Sequence, residues 1–243
     1  MVRYMRIFKE IKTHLFYLLT KRNLYTILIL NVVIIVLLLI ESGIFKGYSY
    51  VDEYRNECLE IYSSSTFPFI KIIYIFLILF VNLTFFLGNY SKYGEFFIRD
   101  RKSKATFYLT KYLSVILFIT IEFIFIYMVY EVIKMIMPYG DYPFRDLGTY
   151  YSLYLMGLYY LFLSSSLLML SKSNFSLVIP IIIYWVGDVM VSTSTMDIIT
   201  KIFLAMTINI SAEDGLYFGY IHAYLLIFLN IVLSTLIVII KET

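Results

Sequence analysis

Apolar residues run along this chain in long blocks separated by short polar intervals. Leu24–Ile40 is almost unbroken and stops at Glu41; Phe67–Gly88, Tyr112–Met137, Tyr150–Leu170, Leu177–Val191 and Leu216–Ile240 follow. A helix needs ~20 apolar residues to cross a hydrocarbon core of ~30 Å. The pattern therefore predicts six membrane-crossing helices and an all-α fold. Pro68 and Pro180 fall in the first turns of their blocks, where a missing N–H is tolerated. Ahead of the first block, Tyr4, Ile7, Phe8, Ile11, Leu15, Leu18 and Leu19 recur at helical spacing, with Arg3, Arg6, Lys9 and Lys12 mostly opposite. Residues 1–23 thus read as a basic amphipathic helix lying in the membrane interface.

Composition sharpens this picture. The 243 residues are 61% hydrophobic and 15% charged, with a mean hydropathy of +0.83. A soluble domain is roughly 45–50% apolar and about 25% charged. One core cannot hold the excess, so lipid must solvate much of the surface. The 25 tyrosines and 21 phenylalanines suit a membrane protein, since a tyrosine ring buries at the headgroup level while its hydroxyl stays wet. No internal repeat or second domain is visible, and 1–243 reads as a single transmembrane domain. No removable signal peptide is expected, because the first apolar run starts behind a charged helix.

Charge sets the orientation. Asn89–Lys111 holds Lys92, Arg99, Arg101, Lys102, Lys104 and Lys111 against Glu95 and Asp100. Short basic loops between spans stay in the cytoplasm. With six crossings, both termini are then cytoplasmic. The segments assigned inside carry 14 basic and 4 acidic residues, and the outer loops about 5 and 10. One of these outer segments, 193–219, reads as a short amphipathic, re-entrant-like helix rather than a crossing.

Several chemistries are missing. There is no GxxxxGK[ST] phosphate loop, no HExxH and no GxSxG. A lone Cys58 excludes an intramolecular disulfide, and His14 and His222 are too few for a histidine metal site. The chain is expected to be no enzyme, to bind no cofactor or metal directly, and to bind no nucleic acid. Polar residues inside the apolar blocks are the remaining candidates. Glu122 lies near the middle of the third block, where an ionisable group must face protein or water. Two readings stand: a translocation-path or gating residue, or a carboxyl bonded to a neighbouring helix through Asn31, Asn82 or a serine. Asn31, Asn82 and Asn230 are expected to donate hydrogen bonds between helices.

Together these features resemble the membrane subunit of ABC-2 type exporters. The resemblance lies in the amphipathic N-terminal helix, six spans with both ends inside, the basic inner loop and the segment between the last two spans. The nearest local likeness is Glu95, the basic Arg99–Lys104 stretch and Lys111 leading the third span, although the proline of that stretch is absent here. The resemblance implies a bacterial plasma-membrane permease working as a dimer with a second copy or a homologue. It also implies a separate ABC ATPase that binds ATP and Mg. Asn89–Lys111 would be the coupling loop, with Glu95, Arg99, Arg101, Lys104 and Lys111 engaging the ATPase. Glu122, Asn31 and Asn82 would line or gate the path. The composition looks like that of small permeases that export amphipathic or antimicrobial peptides. Two other readings remain open: an immunity or scaffold protein acting without an ATPase, and an intramembrane enzyme using Glu122.

Overall fold

The computed structural model describes residues 2–41, 55–87, 101–136, 147–189, 206 and 216–242. Among these residues every regular element is a helix. Helix α1 spans Val2–Leu18 and α2 spans Lys21–Glu41. Helix α3 spans Arg55–Asn82 and continues into a π-helical turn, Leu83–Leu87. Then come α4 (Arg101–Ile136), α5 (Leu147–Ser171), α6 (Val178–Val189) and α7 (Leu216–Glu242).

Five of these helices hold a stretch long and apolar enough to cross a membrane: Lys21–Ile40, Phe69–Leu87, Thr106–Ile133, Tyr150–Ser171 and Tyr220–Ile240. The fifth predicted block, Leu177–Val191, is represented by α6, of which the 12 residues Val178–Val189 are described. A 3-10 turn, Asn174–Leu177, leads into α6, and Ser173 caps it by accepting the Phe175 N–H at 3.3 Å. Lys172 takes φ 52°, which lets the chain reverse in very few residues. Pro180 lies in the first turn of α6, where it breaks nothing.

Helix α5 is the centre of the bundle. It packs on α7, α3 and α4, while α2 packs on α3 and α1 on α4. Buried positions make up 72% of the apolar window of α5 but 17% of that of α2. Close packing of α5 depends on Gly157. A Cβ there would meet the Tyr74 hydroxyl at 2.8 Å and Ile119 Cγ2 at 3.1 Å. A missing side chain at a helix crossing lets neighbouring helices approach. The outer faces of α2, α4 and α7 expose Leu28, Ile29, Leu117, Ile121, Leu225 and Phe228. Such surface suits lipid rather than water.

The two ends of the bundle differ chemically. At one, Tyr130 and Tyr150 lie 4.4 Å apart by ring centroid. Tyr151 packs on Tyr154 and Tyr220, and its hydroxyl meets that of Tyr224 at 3.0 Å. This gathers the C-terminal end of α4 with the N-terminal ends of α5 and α7 in a tyrosine layer of the kind found at membrane interfaces. The opposite end joins α1, the π-helical turn of α3 and the start of α4.

Candidate functional site

That opposite end is built around a cation. Lys111 was expected to close the basic loop. It is instead the eleventh residue of α4 and is fully buried. Its polar neighbours do not end the helix, because lysine is a good helix former. The Lys111 ammonium donates to the Phe85 carbonyl at 3.0 Å. It also lies 4.3 Å above the Phe107 ring, 5.4 Å from Tyr108 and 5.7 Å from Phe86. The last carbonyls of a helix lack partners within it, and a cation there meets the negative end of the helix dipole. Aromatic faces supply further attraction in a water-poor setting. The ammonium thus bridges the end of α3 to α4 and is no part of an exposed docking face.

Helix α1 is fastened to the same place. His14 Nε2 lies 3.1 Å from the Thr110 hydroxyl. Thr110 has one hydroxyl hydrogen, and its nearest acceptor is the Phe107 carbonyl at 2.9 Å. The imidazole also packs against Phe85 and Phe107. Burial first, and then the Lys111 charge, hold the His14 pKa down to about 4, so the ring is neutral and able to accept burial. Its juxtaposition with Lys111 has no signature in the sequence.

A second polar site lies within the spans. Asn31 on α2 donates from Nδ2 to Glu122 Oε1 on α4 at 3.3 Å. Both residues are buried. Of the partners open to Glu122, the fold chooses Asn31. Asn82 lies elsewhere: its amide donates to the Leu161 carbonyl at 3.0 Å and to the Ser164 hydroxyl, joining α3 to α5. Tyr112 adds an α4–α5 link through Ser165 at 3.1 Å and by stacking on Phe162. Among the described residues Asn230 donates to the Leu226 carbonyl of its own helix at 2.8 Å and not to another helix.

The expected coupling residues are only partly in view. Glu95 and Arg99 lie outside the described residues. Arg101 and Lys104 fall in the first turns of α4, and their side chains lie outside the description. So does the 193–219 segment, except for Met206 and the first turn of α7. The Met206 carbonyl accepts from the Tyr159 hydroxyl at 2.6 Å. No group of histidine, cysteine and carboxylate side chains suited to a metal ion occurs among the described residues.

Apolar helices, a tyrosine layer and buried polar cross-links define a helical multi-pass membrane protein. No protein-family model, curated protein or solved structure gives a significant match to the chain.

Proposed function

We propose that the chain is the membrane-embedded permease subunit of an ATP-driven exporter of the ABC-2 type. It works as a dimer in a bacterial plasma membrane and draws free energy from a separate ATPase that binds ATP and Mg. The observation that carries this reading is the junction at Lys111. The basic loop leaves α3 just beyond the Phe85 carbonyl and enters α4 ahead of Lys111, which bonds that carbonyl at 3.0 Å. Thr110, next in sequence, contacts His14 of α1. A partner pushing on the loop would therefore move α1, α3 and α4 together. A loosely attached loop would absorb the same push.

Six crossings with both termini in the cytoplasm fit the positions of the helix ends. Helix α5 runs from the tyrosine layer to its far end at Ser171, and α7 starts again at the tyrosine layer through Tyr220. In the proposed topology the chain between them returns across the bilayer, and α6 begins that return. Met206 meets α5 at Tyr159, about 13 Å along the helix from Tyr150. That depth suits a segment dipping into the membrane from outside. Amphipathic peptides are the proposed cargo.

Co-purification tests the proposal. The chain should bring down a phosphate-loop ATPase encoded in the same cell. Combined charge reversal at Arg99, Arg101 and Lys104 should lower the recovered ATPase about tenfold or more, the loss of roughly 1.4 kcal/mol of binding. Reversals that leave both assembly and ATP-dependent transport intact would refute the coupling role.

A further inference from the structure

The Asn31–Glu122 pair is incomplete in a way that points to a ligand. Glu122 sits about 12 Å along α4 from Tyr130 in the tyrosine layer and is 6% exposed. Among the described residues its carboxyl accepts one hydrogen bond, from Asn31. Its second oxygen, Oε2, is enclosed and has no partner. Asn31 is 8% exposed, and its Oδ1 has no partner either. The Tyr74 hydroxyl, fully buried where α3 meets Gly157, is also unpartnered and lies within electrostatic reach of Glu122 and Tyr154.

Many polar groups elsewhere in the bundle are served, although Asn82 Oδ1 and Ser166 Oγ are also buried without a hydrogen-bond partner among the described residues. Ser114 donates to the Thr110 carbonyl at 2.6 Å, and Thr120 to the Ile116 carbonyl at 2.8 Å. An unserved buried polar group is costly, and more so if charged. What sets this pair apart is that an ionisable carboxyl oxygen and a bonded neighbour's amide oxygen, both pure acceptors, are left over together. A carboxyl in a span needs a compensating positive charge or a proton. No described basic side chain bonds to Glu122; Lys111 lies about 16 Å away along the same helix and is engaged at Phe85.

We propose that Glu122, Asn31 and Tyr74 form a buried binding site for one monovalent cation, carried either as a proton on Glu122 Oε2 or as an alkali-metal ion held by Oε2 and the neighbouring oxygens. Asn31 of α2 bonds Glu122, Tyr74 of α3 lies within its electrostatic reach and Tyr154 of α5 within that of Tyr74, and among the described residues no cation bonds the carboxyl. The site would let the protein register the proton or alkali-ion content of the medium. It stands independently of any ATPase.

Infrared difference spectroscopy on the purified full-length chain in lipid nanodiscs tests this. A carboxyl band should respond to the medium and be lost in Glu122→Gln. If raising the pH in a large organic cation removes the protonated band, the ligand is a proton. If sodium or potassium perturbs the carboxylate band at constant pH, it is an alkali ion. Asn31→Ala keeps the carboxyl and should shift its band, which serves if Glu122→Gln fails to insert. Superimposable wild-type and Glu122→Gln difference spectra in both titrations would overturn the proposal. So would an Asn31→Ala band that does not move.

Discussion

Helix α4 buries a lysine and a glutamate, Lys111 and Glu122, and the bundle treats them differently. Lys111 meets a helix-end carbonyl and aromatic faces. Glu122 meets one amide and keeps an oxygen without a partner. The first arrangement fixes a charge permanently and turns it into a joint between helices. The second leaves an acceptor unserved, which is the basis of the proposed cation site. Burial alone does not separate structural charges from functional ones; the degree to which their partners are supplied does.

Reversing the joint should have the largest effect. Lys111→Glu would place a carboxylate against the Phe85 carbonyl, and should cost about 3–5 kcal/mol. Thermal unfolding in detergent measures it, and an unchanged midpoint would break the comparison at its stronger end. Next comes the crossing that positions Tyr74 near Glu122. Gly157→Val forces a side chain into space filled by Tyr74 and Ile119, and should cost about 1–3 kcal/mol.

Acid should loosen α1 by a smaller amount, about 1–2 kcal/mol. Docked His14 resists protonation down to about 4, against 6.5 for the free ring. As the pH falls through that window, undocked α1 takes up a proton and docked α1 does not. Docking is therefore complete above the free value and weakens toward the lower one. A spin label at Thr13, which is exposed, should gain mobility on acidification in the wild type and not in His14→Gln. The smallest stability effect is expected at Glu122→Gln, under about 1 kcal/mol, because the amide oxygen can still accept from Asn31. A loss as large as that of Lys111→Glu would show that Glu122 is a structural joint as well.

Much of the bundle was legible from hydropathy. Five of the apolar blocks coincide with long helices, because length and apolarity alone decide whether a helix suits a bilayer. The third apolar block reads as starting at Tyr112, whereas α4 starts at Arg101 and its apolar stretch at Thr106, since Lys111 looks like a solvent-facing residue. A carbonyl and aromatic rings distant in sequence make burial of Lys111 possible, and no local pattern announces them. The Asn31–Glu122 contact was open among several partners, for the sequence says which residues need hydrogen bonds and not which helix brings them. The block Leu177–Val191 reads as a crossing from its apolar run, and Val178–Val189 of it is described as helix.

The whole account requires that the Lys111 end of the bundle face the compartment where ATP is hydrolysed. Cysteine labelling in intact cells tests this directly, after the native Cys58 is replaced by serine. A membrane-impermeant maleimide should label Tyr142→Cys and spare Ser103→Cys until the cells are opened. Labelling of Ser103→Cys from outside, with Tyr142→Cys protected, would contradict it.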